Sequence, residues 1–199
     1  ITRLLKAAKL PRDKTLSTLE LKRLPTAVRG QIQRLCEGEF LEGATNVCIF
    51  GNPGVGKTHT MAAIGHELVR QGHSVAFTSV QVLVERLLEA KRDLRLSREL
   101  RRLDRIDCLC LDDIGYVQQE RAEMEVLFTL LAERYERGSV MITSNLPFSK
   151  WEGIFKDPMT TAAAIDRLVH HSVILELNMS SYRMEAAKNR RDKDKDKEG

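Results

Sequence analysis

The sequence contains few of the features that mark membrane-embedded or secreted proteins. No apolar run approaches the roughly 18 residues of a membrane-spanning helix, and no signal peptide is recognisable. Aromatic residues make up only 5% of the 199 residues, which argues against a surface that stacks the bases of single-stranded nucleic acid. We therefore expect a cytoplasmic protein without membrane contact, since 42% apolar and 30% charged residues are typical of a globular domain.

Soft metal ligands are equally sparse. Three of the four cysteines lie in apolar runs that predict buried strands, and we interpret all four as small core residues in a reducing compartment. We expect Cys108 and Cys110 to point to opposite faces of their strand. We also expect no metal site among the histidines, because the adjacent His170 and His171 should point in different directions.

From residue 46 onward, short apolar runs alternate with helical patterns. This alternation predicts βαβ units and a mostly parallel sheet, covered on both faces. The predicted strands are NVCIF (46–50), HSVAFTS (73–79), IDCLCLDD (106–113), SVMITSN (139–145) and VILELN (173–178). The helical patterns that separate them cover residues 57–71, 80–93, 120–138 and 160–172.

The residues ahead of the first strand form a region of their own. Residues 1–14 predict a basic amphipathic helix that ends near Pro11, and a helical approach segment follows it. We divide the chain into an approach segment (1–40), a core (41–185) and a disordered charged tail (186–199). Because the chain begins with isoleucine instead of methionine, we expect it to be part of a longer protein.

The stretch GNPGVGKT, between the first strand and the next helix, matches G-x-x-x-x-G-K-[ST] at every fixed position. Its glycines let successive backbone N–H groups face one anion, and the following helix N-terminus adds partial positive charge. In preference to a purely structural turn, we predict a site for ATP and Mg²⁺. Lys57 would contact the β- and γ-phosphates, and Thr58 would hold the metal ion. The predicted nucleotide-binding residues here are Gly51, Asn52, Pro53, Gly54, Val55, Gly56, Lys57, Thr58 and His59.

Polar residues follow two of the later strands. Asp112 and Asp113 end the run CLCLDD, where Asp112 is suited to coordinating Mg²⁺ and Asp113 to polarising the attacking water. A helix cap or a turn is the alternative interpretation of this acidic pair. Asn145, in MITSN, is a candidate for orienting the lytic water, with a strand-ending turn as the alternative.

The run LDDIGYVQQERAEMEVLFTLLAERYERGSVMITSNLPF closely resembles the IstB-type helper ATPases of insertion sequences, which are related to DnaC helicase loaders. The resemblance covers nearly the whole chain, from LPRDKTL to SYR. It implies an AAA+ P-loop NTPase, an α/β three-layer sandwich with a five-stranded parallel sheet and no C-terminal lid domain. It also implies that subunits associate into an ATP-dependent ring or helical oligomer.

The resemblance also implies roles for two arginines. Arg167 resembles the arginine finger that enters the nucleotide site of a neighbouring subunit, and Arg183 resembles a sensor arginine that contacts the nucleotide of its own subunit. Arginine's fixed fork suits charge on phosphoryl oxygens, although a structural ion pair is the alternative for Arg167. Most AAA+ proteins carry glutamate where this chain has Asp113, so we expect slow hydrolysis.

Basic residues between Lys91 and Arg105 recur at helical spacing and would form one stripe on a continuous helix. Such a stripe suits phosphate contacts, whereas a solvated face balanced by acidic residues is the alternative. The resemblance implies DNA binding within an assembly and favours Lys91, Arg92 and Arg95 as contacts to double-stranded DNA.

The residues and the resemblance together predict an ATP-dependent, DNA-binding regulator of DNA transposition. It would assemble on target DNA and engage a partner transposase. The alternative is a DnaC-like loader of a replicative helicase that acts on single-stranded DNA. A small-molecule kinase is disfavoured, because LDDIG followed by ITSN fits a hydrolytic site better.

Overall fold

The computed structural model describes residues 1–115, 120–151, 158–179 and 181. Its centre is a sheet of five parallel strands in the order β2-β3-β4-β1-β5. The strands are β1 (Asn46–Phe50), β2 (Val75–Ser79), β3 (Cys108–Asp112), β4 (Ser139–Ser144) and β5 (Ser172–Glu176). Each observed strand overlaps a predicted one, which confirms the α/β class and the parallel sheet.

Helices form most of the connections between the strands. They are α1 (Thr2–Ala8), α2 (Thr26–Cys36), α3 (Lys57–Arg70), α4 (Val80–Arg92), α5 (Leu96–Asp104), α6 (Arg121–Arg134) and α7 (Pro158–Val169). Single 3₁₀ turns lie at Leu21–Arg23, Glu39–Leu41 and Phe148–Lys150. The first helix is shorter than predicted, because Lys9 takes a left-handed conformation (φ 55°) just ahead of the Leu-Pro step.

The sheet separates two apolar cores, so that the fold has three layers. Helices α4 to α7 pack on one face, and α1 to α3 pack on the other. Side chains alternate between the faces along each strand: Cys48 lies in the first core, whereas Val47 and Ile49 lie in the second. This arrangement explains why the central strands are apolar at nearly every position.

The expectation that Cys108 and Cys110 point to opposite faces is wrong. Side chains alternate along a strand, so residues two apart share a face, and both thiols lie in the core beneath α3. Their interpretation as buried core residues holds, since both are fully buried. Burial also raises the pKa of the Cys48 thiol, to about 12.

Residues 9–20, which we call the strap, cross the helix α3 that follows the glycine-rich loop. His66 Nε2 lies 3.0 Å from the carbonyl oxygen of Pro11, and His59 Nε2 lies 3.1 Å from that of Thr15. The two histidines are seven residues apart and therefore occupy the same side of α3. They fasten the approach segment to the helix at two points.

We call the edge of the sheet where the strands begin the amino edge. A buried asparagine connects several elements there by hydrogen bonds. Asn46 Oδ1 accepts a hydrogen bond from Val140 N (2.9 Å), and Asn46 N donates to the His171 carbonyl (2.7 Å). Its amide nitrogen lies 3.3 Å from the carbonyl oxygens of Arg167 and Leu168. One side chain thus joins β1 to β4 and to the end of α7.

Arg134, which is only 2% exposed, is a second buried residue that connects elements at the amino edge. Its guanidinium donates to carbonyl oxygens of Leu103 (2.9 Å), Ile106 (2.8 Å) and Ser139 (3.1 Å). Desolvation lowers the pKa of this arginine. The buried guanidinium therefore satisfies backbone carbonyl groups around α5, β3 and β4. Its position in a helical sequence pattern does not indicate this role.

The basic residues between Lys91 and Arg105 do not lie on one continuous helix. α4 ends at Arg92, Leu94 takes a left-handed conformation (φ 56°), and α5 begins at Leu96. The two helices contact each other instead of continuing in line. The basic residues therefore do not form one straight stripe. Within the described residues, no helix combines the length and apolar character required to span a membrane.

Candidate nucleotide-binding site

The loop between β1 and α3 curls as its glycines predict. Gly56, which precedes α3, has φ 94°, and a side chain at Gly51 would place Cβ 2.8 Å from the carbonyl oxygen of Leu177. Lys57 is 6% exposed, and its Nζ donates to the carbonyl oxygens of Gly51 (2.8 Å) and Asn52 (3.0 Å). A buried cation thus sits inside the loop, at the N-terminus of α3.

The edge where the strands end, the carboxyl edge, brings three polar side chains together. Thr58 Oγ1 lies 3.0 Å from both carboxylate oxygens of Asp112, at the end of β3. Thr143 Oγ1, from β4, donates to Asp112 Oδ1 at 2.6 Å and accepts from Asp113 N at 2.8 Å. The carboxylate of Asp112 is therefore held from two sides, by the loop and by the neighbouring strand.

Thr143 is a site residue for which sequence reasoning gave no role. It is fully buried and sits between Asp112 and the backbone of Asp113, which takes a left-handed conformation (φ 63°). The signal was present in MITSN, where a polar residue ends an otherwise apolar strand. Pairing of β3 with β4 is what brings this hydroxyl to the acidic pair, and that pairing is not visible in the local pattern.

A cavity of about 520 Å³ opens beside the loop, a volume within the usual range for ligand sites. Its wall includes predicted residues, namely Pro53, Gly54, Gly56, Lys57, Thr58, His59 and Asp113. The strap supplies the rest, a contribution that the sequence analysis missed: Lys14, Thr18, Leu19 and Glu20. Val55 was predicted to bind nucleotide, but it is 1% exposed and packs into the core beneath α3.

The predicted residues Gly51, Asn52 and Asp112 do not line the cavity, and Asn145 and Arg167 also lie outside its wall. Asn145 follows β4 and lies against Gly115, and its buried Oδ1 has no hydrogen-bond partner among the described residues. Arg167 lies near the amino edge, where it donates to the Ala163 carbonyl (2.9 Å) and covers the ring of Phe128 (4.9 Å). The loop follows the opposite end of β1, so Arg167 is not part of this chain's own cavity. Arg183 falls outside the described residues.

The basic residues of α4 and α5 surround a second cavity, of about 590 Å³, which we call the arginine groove. Six arginines line it together with two glutamates: Arg86, Arg95, Arg98, Arg101, Arg102, Arg105, Glu89 and Glu99. Of the predicted DNA contacts, Arg95 faces this groove, while Lys91 pairs with Glu125 at 2.9 Å. Arg92 is exposed at the end of α4.

The expectation that His170 and His171 point in different directions is wrong. The turn after α6 and the turn after α7 bring Glu136, His170 and His171 together, with one potential ligand atom of each within 4.8 Å of the others. Adjacent side chains can converge when the chain turns at them, as it does between α7 and β5.

The match to known proteins is extensive. Residues 1–190 fit the family described as IstB-like ATP binding protein. The chain belongs to this family. It is 44% identical over 188 residues to an insertion sequence ATP-binding protein of Sinorhizobium fredii, covering 94% of this chain and 63% of that one. It is 40% identical to an insertion sequence IS21 ATP-binding protein of Pseudomonas aeruginosa, covering 90% and 68% respectively. This IstB-like chain thus spans about two thirds of these relatives.

Solved structures show the fold of this IstB-like chain to be that of AAA+ proteins. AMPPCP-bound DnaA from Aquifex aeolicus superposes with a TM-score of 0.71 at 19% identity, over 92% of this chain and 56% of that one. A DnaC helicase loader superposes with a TM-score of 0.66 at 17% identity, over 88% of this chain and 99% of that one. The AAA+ fold and the family resemblance predicted from the sequence are confirmed.

Proposed function

We propose that this IstB-like domain hydrolyses MgATP and uses the nucleotide to assemble on double-stranded DNA, where it engages a partner transposase. The observation that carries the proposal is that Lys57 and Thr58 line one cavity and that Thr58 hydrogen-bonds to the carboxylate of Asp112. A P-loop lysine and hydroxyl beside a strand-end carboxylate form the constellation that P-loop ATPases use for a nucleoside triphosphate and its metal.

The side chains present fit ATP and Mg²⁺. Lys57 would exchange its two carbonyl partners for phosphate oxygens, and the curled backbone of the loop would bind the phosphates through its N–H groups. Thr58 and Asp112 offer hard oxygen ligands that already lie 3.0 Å apart, and oxygen ligands are those that Mg²⁺ prefers. Bound there, Mg²⁺ would neutralise charge on the phosphates.

Hydrolysis would rest on Asp113, which lines the cavity. Its carboxylate would orient and polarise the attacking water. Thr143 would hold Asp112 by its hydroxyl and Asp113 by its backbone, so that the metal ligand and the water-polarising group keep a fixed relative position. Asn145, one residue beyond β4, would add a polar contact to the same water.

The remote position of Arg167 supports a role between subunits. It would leave its contacts with Ala163 and Phe128 and approach the nucleotide of a neighbouring subunit, where a guanidinium offsets phosphoryl charge. Arg183 would contact the nucleotide of its own subunit. ATP would then stabilise an oligomer, ring or helical, and its hydrolysis would weaken the contact.

For DNA, the arginine groove extends the predicted contacts Lys91, Arg92 and Arg95. Six arginines against two glutamates favour a phosphate backbone, and such contacts bind DNA without reading its sequence. Lys91 would have to leave Glu125, whose pKa is lowered by their hydrogen bond. Arg86 and Arg102 would likewise have to leave Glu99, and Arg95 would have to leave Asp93. Because Arg98, Arg101 and Arg105 also line the groove, we expect it to contribute more to DNA affinity than Lys91.

Two classes of partner protein are candidates. Relatives named as insertion sequence ATP-binding proteins favour a transposase. A similar fold occurs in a DnaC helicase loader, so loading of a replicative helicase is the second candidate. The two candidates differ in the expected DNA: double strands for the first and single strands for the second.

Sedimentation with double- or single-stranded DNA, in ATP, in ADP or without nucleotide, tests the proposal. We expect large assemblies on duplex DNA in ATP alone, and their loss in both Lys57→Ala and Arg167→Ala. Arg137→Ala is the matched control, because Arg137 is exposed and lies near the same edge as Arg167. Assemblies on single strands alone would favour the helicase loader, and nucleotide-independent behaviour would contradict the proposed ATP switch.

A further inference from the structure

A cluster of metal-ligating side chains lies at the amino edge, at the opposite end of the sheet from the nucleotide cavity. His171 Nε2 is 3.9 Å from Glu136 Oε1, and the His170 and His171 rings meet edge to face with centroids 4.3 Å apart. All three side chains are exposed, so a cation can reach them from solvent. Together they offer two imidazoles and a carboxylate.

Main-chain contacts hold the two turns that carry these ligands. The carbonyl of His171 accepts from Asn46 N at 2.7 Å, and Asn46 Oδ1 accepts from Val140 N, four residues beyond Glu136. His170 N donates to the Asp166 carbonyl at 2.9 Å, which continues the hydrogen bonding of α7. Both turns are therefore tied to the same end of β1, and the cluster does not depend on side-chain contacts alone.

Tyr135 completes the arrangement. Its hydroxyl lies 2.9 Å from His170 Nδ1, so one imidazole nitrogen is engaged by a neighbouring polar group. Metal-binding histidines are typically oriented in this way by a hydrogen bond to their second nitrogen.

We propose that Glu136, His170 and His171 bind one divalent transition-metal cation, for which Zn²⁺ is the probe. Two imidazoles and one carboxylate are a ligand set that zinc accepts, with a fourth position left to water. Mg²⁺ prefers oxygen ligands alone and would not compete at this cluster. The bound ion would join the turn after α6 to the turn after α7, the helix that carries Arg167.

Modest side-chain movement suffices to close the site. Ligand atoms around a tetrahedral zinc ion lie roughly 3.3 Å apart, given bond lengths of about 2.0 Å, against the present limit of 4.8 Å. Exposed side chains can cover this difference by rotation. The thiols would compete weakly, because burial raises the pKa of Cys36 and of Cys48 to about 12 and keeps them protonated.

Zinc titration against a chromophoric chelator, without nucleotide and after removal of metals, tests the proposal. We expect about one equivalent of Zn²⁺ per chain and a higher thermal unfolding midpoint with zinc. Glu136→Gln and His171→Asn should each weaken zinc binding at least about tenfold and abolish the shift in the midpoint. Tyr135→Phe should weaken it less, because it removes an orienting contact and no ligand.

Two control variants separate this site from others. His73→Asn changes a histidine remote from the cluster, and Asp112→Asn changes the proposed Mg²⁺ ligand; both should bind zinc as the unaltered chain does. Zinc binding that is lost in Asp112→Asn would place the ion at the nucleotide site and overturn the proposal. Binding unaffected by Glu136→Gln and His171→Asn, or no binding at micromolar zinc, would also overturn it.

Discussion

The two edges of the sheet handle buried polar groups in different ways. At the carboxyl edge, Thr58, Asp112 and Thr143 hydrogen-bond mainly to one another through side chains. At the amino edge, Asn46 and Arg134 hydrogen-bond to backbone groups of neighbouring elements. Side-chain partners can rotate away and be replaced by a ligand, whereas backbone partners are fixed by the fold.

The difference separates function from stability within one sheet. A group whose partners are exchangeable can be used for binding, because leaving those partners for a ligand costs little. At the amino edge, a buried group bonded to the backbone cannot leave without exposing several unsatisfied carbonyls, each at a cost of roughly 1–3 kcal/mol. Lys57 at the carboxyl edge also bonds to backbone carbonyls, but these belong to the loop that lines the cavity, where phosphate oxygens can replace them. We therefore expect mutations at the carboxyl edge to affect nucleotide chemistry and mutations at the amino edge to affect unfolding.

The largest effect is expected for Lys57→Ala, which removes the buried cation of the loop. ATP hydrolysis should fall roughly 100- to 1,000-fold, the range seen when one charge-stabilising donor is lost from an active site. The free energy of unfolding should fall less than in Arg134→Met, because Gly51 and Asn52 are not buried and water can replace Lys57 at their carbonyls. Phosphate release and thermal melting measure the two quantities, with exposed Lys150→Ala as the control. A large loss of stability would contradict the expected separation of nucleotide chemistry at the carboxyl edge from stability at the amino edge.

Arg134→Met should have the next largest effect. It leaves the carbonyls of Leu103, Ile106 and Ser139 without their donor, and we expect the free energy of unfolding to fall by about 3 kcal/mol. Urea unfolding measures the loss. Arg137→Met is the matched control, because its ion pairs are exposed and should contribute less than about 1 kcal/mol. Nucleotide affinity of the folded fraction should be retained.

A smaller effect is expected at Thr143, where two substitutions sharpen the comparison. Thr143→Val keeps the shape but removes the hydroxyl between Asp112 and Asp113, and should lower the hydrolysis rate about tenfold, since the hydrogen bonds lost involve a charged group. Thr143→Ser should retain most of the rate. The Mg²⁺ concentration needed for half-maximal rate should rise in the valine variant alone. Equal loss in both variants would indicate a packing role instead.

The smallest effect is expected at Asp107, an exposed residue of the amino edge. Its carboxylate accepts from Ser74 N (2.7 Å) and Ser74 Oγ (2.8 Å), which joins the starts of β2 and β3. Asp107→Ala should lower the free energy of unfolding by about 1 kcal/mol or less and leave hydrolysis unchanged. Any change in the hydrolysis rate per folded molecule would show that the edges are not independent.

The sequence predicts best the features that local patterns determine. β1 was predicted with its observed bounds because an apolar run lies between Asn46 and the glycine-rich loop. The loop itself was predicted from fixed glycine and lysine spacing. Thr143 and Arg134 could not be assigned roles, because their partners lie on elements distant in the sequence and are brought together by strand order. The helical pattern was predicted to end at residue 93, close to the observed end of α4 at Arg92, whereas α5 was not predicted as a separate helix.

Strand order also has a consequence for synthesis of the chain. β1 pairs with β4 and β5, whose first residues are Ser139 and Ser172, so its neighbours are translated long after it. The nucleotide loop that follows β1 therefore lacks its supporting strands until nearly the whole domain has left the ribosome. Because closing such long loops precedes the gain from pairing, folding should be slow and late. A nascent chain that ends before β4 should not retain ATP.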